Sequence, residues 1–184
     1  MAPTPATTAL NLGFLTVLHE PNGYLGGYLV TNQWGRPLEF RLSTAVQPNR
    51  VQQILYAGTL EPYICADLIG KTLVDKTGTA VQLVLTDTEA ALDLRFRLEI
   101  PVAWVAPSSP AGRPGSPERN AGLCTNRPGQ GPVFCHPRFP SDIPPVREIL
   151  ERLDGTVELA EPFARIREAI GEARKMGVTG RLAG

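Results

Sequence analysis

Lysines, histidines, cysteine pairs and long apolar stretches are all scarce in this 184-residue chain. Lysine supplies only three of the 18 basic residues, and 18 acidic residues bring the formal net charge to zero. A neutral chain without a basic run has no broad electrostatic footprint for nucleic acid, which is therefore an unlikely partner on this reading. No run of about 18 apolar residues occurs, so an ordinary transmembrane helix is excluded and no membrane insertion is expected. The start, Met1-Ala2-Pro3-Thr4-Pro5, lacks a basic stretch ahead of an apolar core. No secretory leader is expected from it, and the location expected is cytoplasmic. Three cysteines are too few for a disulfide scaffold. Two histidines and no Gly-x-Ser-x-Gly elbow leave little for nucleophilic catalysis.

Apolar residues make up 42% of the chain, enough for a real core. Glycine and proline, 18 of each, are concentrated rather than spread. From Val105 to Pro145 there are ten prolines and five glycines in 41 residues. Repeated prolines remove backbone donors and block continuous helix or central strand. The expected organisation is a core domain at 10–104, a Pro/Gly-rich linker or insertion at 105–140, and a helical segment at 141–184 docked on the core. The linker is expected to be open to protease at Arg113, Arg119 and Arg127.

Within the core, Phe14 to Glu20 reads as a strand, followed by Pro21-Asn22-Gly23 as a tight turn. Tyr24 to Thr31 reads as the next strand and Leu38 to Thr44 as the third. In the third, Leu38, Phe40 and Leu42 alternate with Glu39, Arg41 and Ser43, the mark of one buried and one wet face. The period then changes. Val51, Ile54 and Leu55 form a short apolar stripe, and a second helix is expected from Leu60 to Val74, with Ile64, Cys65, Leu68, Ile69 and Leu73 on one side. Val81 to Thr86 and Leu92 to Ile100 read as two more strands. The second alternates strictly, so Phe96 is expected in the core and Arg95 in solvent. The fold class expected is α+β: an antiparallel five-stranded sheet with a helical pair on one face and C-terminal helices. This element order resembles small sensor and trafficking-adaptor folds of the longin or profilin-like kind, a likeness of fold that carries no function.

The C-terminal segment offers Ser141 or Asp142 as a cap for one helix, Thr156 to Leu159 as a short strand, and a last helix with Phe163, Ile166 and Ile170 on one face. Such a stripe must be covered by the core or a partner.

Cys124 with Cys135-His136 has the residue types of a zinc site, and a distant His19 could add a ligand. The spacing lacks a Cys-x2-Cys knuckle. Two unpaired thiols are the simpler reading, with a Cys124–Cys135 disulfide as the alternative. Cys65 reads as a small buried hydrophobe. Gly26-Gly27 inside a strand suggests a bend or a close approach of backbone or ligand. Arg41, Arg95 and Arg97 could form a basic stripe. Trp34 and Arg36 at a hairpin tip, with Phe163, Ile166 and Ile170, are the candidate interaction residues. No catalytic, metal-ligating or cofactor-binding residue is assigned, and no cofactor is expected. The function expected is a non-catalytic adaptor or regulatory domain acting through protein contacts or self-association. The alternative is a small-molecule sensor with a pocket near Gly26-Gly27, and third an enzyme with an unfamiliar site.

Overall fold

The structure, a computed structural model, describes residues 9–108, 122–127, 130–153, 155 and 157–177. Three strands open the chain: β1 (Asn11–Glu20), β2 (Gly23–Asn32) and β3 (Pro37–Leu42). Pro21 and Asn22 turn β1 into β2, and Gly23 takes φ +112°, a conformation open to glycine. The short helix α1 (Arg50–Tyr56) starts at a capping box in which Asn49 and Gln52 satisfy each other's backbone N–H. A longer helix, α2, covers residues 60–75 and is wound as a π-helix over Tyr63–Gly70. Then come β4 (Leu83–Thr86), a 3-10 run over Glu89–Arg97, β5 (Val102–Val105), β6 (Leu123–Arg127) and β7 (Gly131–Cys135). Helices α3 (Ile143–Arg152) and α4 (Glu161–Lys175) close the chain.

Among the described residues these strands form one seven-stranded sheet in the order β3-β2-β1-β4-β5-β7-β6. β1, β4 and β5 run parallel, whereas the β1–β2, β2–β3, β5–β7 and β6–β7 pairs are antiparallel. The expected antiparallel five-stranded sheet, with its helical pair on one face, is thus corrected to a mixed sheet covered on both faces. The chief source of the error is Leu92 to Ile100. Parallel neighbours cannot be joined by a hairpin and need a crossover of about a dozen residues or more. The segment between β4 and β5 is that crossover, and it coils with a period near three. Ala91 and Leu94 are buried and Phe96 is 47% exposed. The slot beside β4 goes to Val102–Val105 instead, with Val84 opposite Val102.

Each face of the sheet has its own core. On one, Leu12, Phe14, Leu29, Leu85 and Val133 meet Val146 and Leu150 of α3 and Phe163, Ile166 and Ile170 of α4. On the other, Leu15, Tyr28, Val30 and Val84 meet Ile64, Ile69 and Leu73 of α2 and Leu94 of the 3-10 run. Sheets buried on both faces read as near-continuous apolar runs, as β1 and β2 do. Gly26 and Gly27 serve this sandwich. A Cβ on Gly26 would stand 2.2 Å from an Ile69 methyl, and one on Gly27 would stand 2.5 Å from an Ile166 methyl. The pair lets α2 and α4 approach opposite faces of β2, and the pocket expected there for a small-molecule sensor is filled by isoleucine.

Several local expectations change for the same reason of context. β3 is an edge strand, so Leu38 and Phe40 are exposed on it. Asp142 precedes α3, yet its carboxylate makes no cap bond and is taken by Arg95. Val157 to Leu159 form no strand. Of the expected cleavage points, Arg113 and Arg119 lie outside the described residues, and Arg127 is the last residue of β6.

Candidate active site at the carboxyl ends of the parallel strands

The strand order reverses between β1 and β4. From β1 the chain builds outward through β2 and β3, and from β4 it builds the other way. In open sheets with parallel strands, ligands settle outside the carboxyl ends of the strands at such a reversal. Here that point is occupied by Thr16 on β1 and by Thr86-Asp87-Thr88 at the end of β4.

The turn after β4 is tightly built. Thr88 N–H donates to Thr86 Oγ1 at 3.1 Å, and Val17 N–H donates to Thr88 Oγ1 at 3.2 Å. These bonds extend the β1–β4 pairing past its last register pair, Leu15 with Thr86, and hold Asp87 in place. Thr16 Oγ1, itself buried, donates to Asp87 Oδ1 at 3.1 Å. Arg167, from the flank of α4, pairs with Asp87 Oδ2. The Asp87 side chain is 13% exposed, while Arg167 is 49% exposed. Burial pushes the Asp87 carboxyl above the ordinary aspartate value, against the pull of Arg167 and the two threonines.

This pair opens onto a cavity of about 430 Å³ lined also by Val105, Pro107, Ser108, Gln130, Glu158 and Phe163. Gln130 Nε2 donates to Val157 O at 3.1 Å, and its buried Oε1 has no partner among the described residues. The site therefore combines a desolvated carboxyl, a half-exposed guanidinium paired with it, and amide and hydroxyl groups at the wall. Among the described residues no group of three His, Cys, Asp or Glu side chains is placed to hold a metal ion.

Of the residues singled out from sequence, Phe163 lines this cavity and the others lie elsewhere. Trp34, 73% exposed, stands at the β2–β3 tip, where Asn32 Oδ1 accepts from the backbone N–H of both Trp34 and Arg36. Phe163, Ile166 and Ile170 are buried against the sheet. His19 is exposed and stacks on Tyr24. Arg41, Arg95 and Arg97 form no stripe and pair separately with Glu39, Asp142 and Asp67. Cys124 and Cys135 are buried and bridged across the β6–β7 hairpin, with Cα atoms 6.3 Å apart. His136 turns from them to Asp93, 3.1 Å away. Burial pushes the Cys65 thiol up to about 12. Sequence reasoning passed over Asp87, whose one signal was its place just after a short apolar run; Arg167 had none.

No known family and no curated protein matches the chain. Solved structures do. Endonuclease V from Bacillus subtilis is similar at 11% identity and a TM-score of 0.48, with 94% of this chain and 83% of that one covered. Ciona intestinalis endonuclease V, solved with a 23mer DNA containing an inosine followed by a ribo-adenosine, is similar at 12% identity and a TM-score of 0.37. There 56% of this chain and 48% of that one are covered. Both of these structures carry the name endonuclease V and one holds DNA, which runs against two expectations, a non-catalytic adaptor and nucleic acid as an unlikely partner, and neither expectation is kept. At such TM-scores the function rests on the chain's own residues. Among the described residues no helix is long and apolar enough to cross a membrane.

Proposed function

We propose that this chain is an enzyme whose active site is the Asp87–Arg167 cavity, acting on a substrate that carries a phosphate group. The observation behind the reading is a desolvated carboxyl, with its pKa raised, at the strand-order reversal and open to a cavity. Perturbed carboxyls so placed are the usual acid–base groups of active sites. Asp87 Oδ1 is held by Thr16, and only Oδ2 carries the ion pair. A phosphate entering the cavity competes for the planar fork of Arg167, which suits phosphate as well as carboxylate. Once Arg167 has turned to the phosphate, Oδ2 is free to take a proton from a water or hydroxyl whose oxygen attacks phosphorus, the ester P–O bond breaking and the leaving oxygen taking its proton from solvent. Loss of the guanidinium also raises the Asp87 pKa further, toward the range where a general base works best. Nucleic-acid phosphodiesters belong to this substrate class.

The test is turnover of a panel of nucleotides and single- and double-stranded oligonucleotides, with and without magnesium, by the wild type, Asp87→Asn and Arg167→Met. Turnover by the wild type should fall by about 10² to 10⁴ in Asp87→Asn, with the melting temperature retained. Arg167→Met should raise KM more than it lowers kcat. A wild type that leaves every phosphoester intact, or an Asp87→Asn variant as active as the wild type, would overturn the reading.

A further inference from the structure

A second cavity, of about 430 Å³, lies on the α2 face of the sheet, between the α1–α2 junction and the 3-10 run. Its walls carry Tyr56, Tyr63, Phe96, Asp67, Asp93 and Arg97. We propose that it is a binding site for an organic cation of the alkylammonium type, taken by the aromatic rings and by the Asp93 carboxylate. The proposal does not depend on the Asp87 site.

The cavity is preformed. One wall comes from α1 and α2 and the other from the 3-10 run, and the Arg97 fork ties them together on Asp67 at 2.8 and 3.2 Å. The rings are held as well. Tyr56 and Tyr63 stack with centroids 4.3 Å apart, and Phe96 is fixed edge-on by His136 at 4.6 Å and by Phe139 at 5.3 Å. None of the three rings is fully buried: Phe96 is exposed, and Tyr56 and Tyr63, stacked on each other with Tyr63 against the core, each keep part of their surface open. A cation over an aromatic face is attracted by the ring quadrupole, and clustered rings are the usual receptor for quaternary ammonium groups. The Arg138 guanidinium already stands 5.8 Å from the Phe96 centroid.

Charge points the same way. Arg97 offsets Asp67, which leaves the Asp93 carboxylate as the charge in the lining that no cation there offsets, so an anion is disfavoured. Asp93 accepts its hydrogen bond from His136 Nε2, because His136 Nδ1 is already an acceptor for the Arg138 backbone N–H. Its carboxylate is 46% exposed. Between Tyr56 and Gly58 of the lining, Ala57 is the one non-glycine residue with positive φ among the described residues, at +46°. Strained backbone of this kind gathers at ligand clamps.

Calorimetric titration of the full chain with choline tests the proposal, with 3,3-dimethylbutan-1-ol as the uncharged isostere at matched ionic strength. Choline should bind saturably at one site, and the alcohol about fivefold or more weakly. Phe96→Leu keeps apolar bulk without a ring, and Asp93→Asn removes charge alone. Each should weaken choline binding about fivefold at an unchanged melting temperature. No saturable binding at millimolar choline would overturn the proposal. So would equal binding of the alcohol, or unaltered choline binding in both variants.

Discussion

Arg95 meets Asp142 with both arms of its fork, at 2.6 and 3.2 Å, gives a third hydrogen bond to Leu98 O at 2.7 Å, and lies 4.2 Å from the Phe139 ring centre. Asp142 is buried and Arg95 partly so, their side chains 7% and 15% exposed. Arg167 meets Asp87 at one oxygen only, from a half-exposed position, beside a cavity. The residue types are the same and the consequences differ. In the first pair each of the three guanidinium nitrogens donates a hydrogen bond, so the ions are held and bind the crossover between β4 and β5 to the start of α3. In the second, one partner is half-exposed and the other is desolvated, and burial raises the pKa of that carboxyl.

The comparison breaks most sharply at Asp142. Asp142→Ala leaves the largely desolvated Arg95 charge, 15% exposed, without its partner and should cost about 3 kcal/mol in denaturant unfolding. Leu94→Ala, in the crossover that the first pair anchors, should cost about 2 to 5 kcal/mol, whereas Phe96→Ala, two residues on, should cost less than about 2 kcal/mol. Equal losses at Leu94 and Phe96 would restore the strand reading of Leu92 to Ile100. Asp87→Asn should change stability by less than about 1 kcal/mol, since the Thr16 hydrogen bond survives and a poorly solvated charge is removed.

A smaller effect separates carboxyls by pH. The folded-state pKa of Asp87 is raised above its unfolded value, so its contribution is full below about 4 and is lost as pH rises through the folded value. Stability of Asp87→Asn relative to wild type should therefore improve from acid to neutral pH. Glu39 behaves oppositely. Arg41, with the Gly78 backbone N–H and the backbone and hydroxyl of Thr79, holds it down to about 2 from 4.5. Its contribution is present above 4.5 and is lost as pH falls toward 2, so Glu39→Gln should approach wild type on acidification. Paired acid unfolding curves would show the two differences sloping in opposite directions.

Local pattern was a good guide where neighbours in sequence are neighbours in space. The β1–β2 hairpin, the turn at Gly35 and the apolar side of α2 depend on glycine conformations and periodicity that a short window contains. It misled where the partner is distant. Leu92 to Ile100 alternates like a strand, but Leu83–Thr86 pairs in parallel with Val102–Val105 and requires a crossover between them. Asp142 looked like a cap and is bound by Arg95, 47 residues away.

The amino-acid sequence by itself determined that there is a core, that no long apolar helix interrupts it, where the first turns fall, and that Phe163, Ile166 and Ile170 needed cover. Those follow from composition and from the spacing of apolar residues, which act at short range. Only the tertiary structure decided that the sheet is mixed and covered on both faces, that Gly26 and Gly27 admit a helix each, and that Asp87 meets Thr16 and Arg167 from 71 and 80 residues away. The burial that raises the Asp87 pKa is the combined effect of chain segments far apart in sequence. It arises once α4 closes over the carboxyl ends of β1 and β4 and removes the water that would otherwise hold that charge.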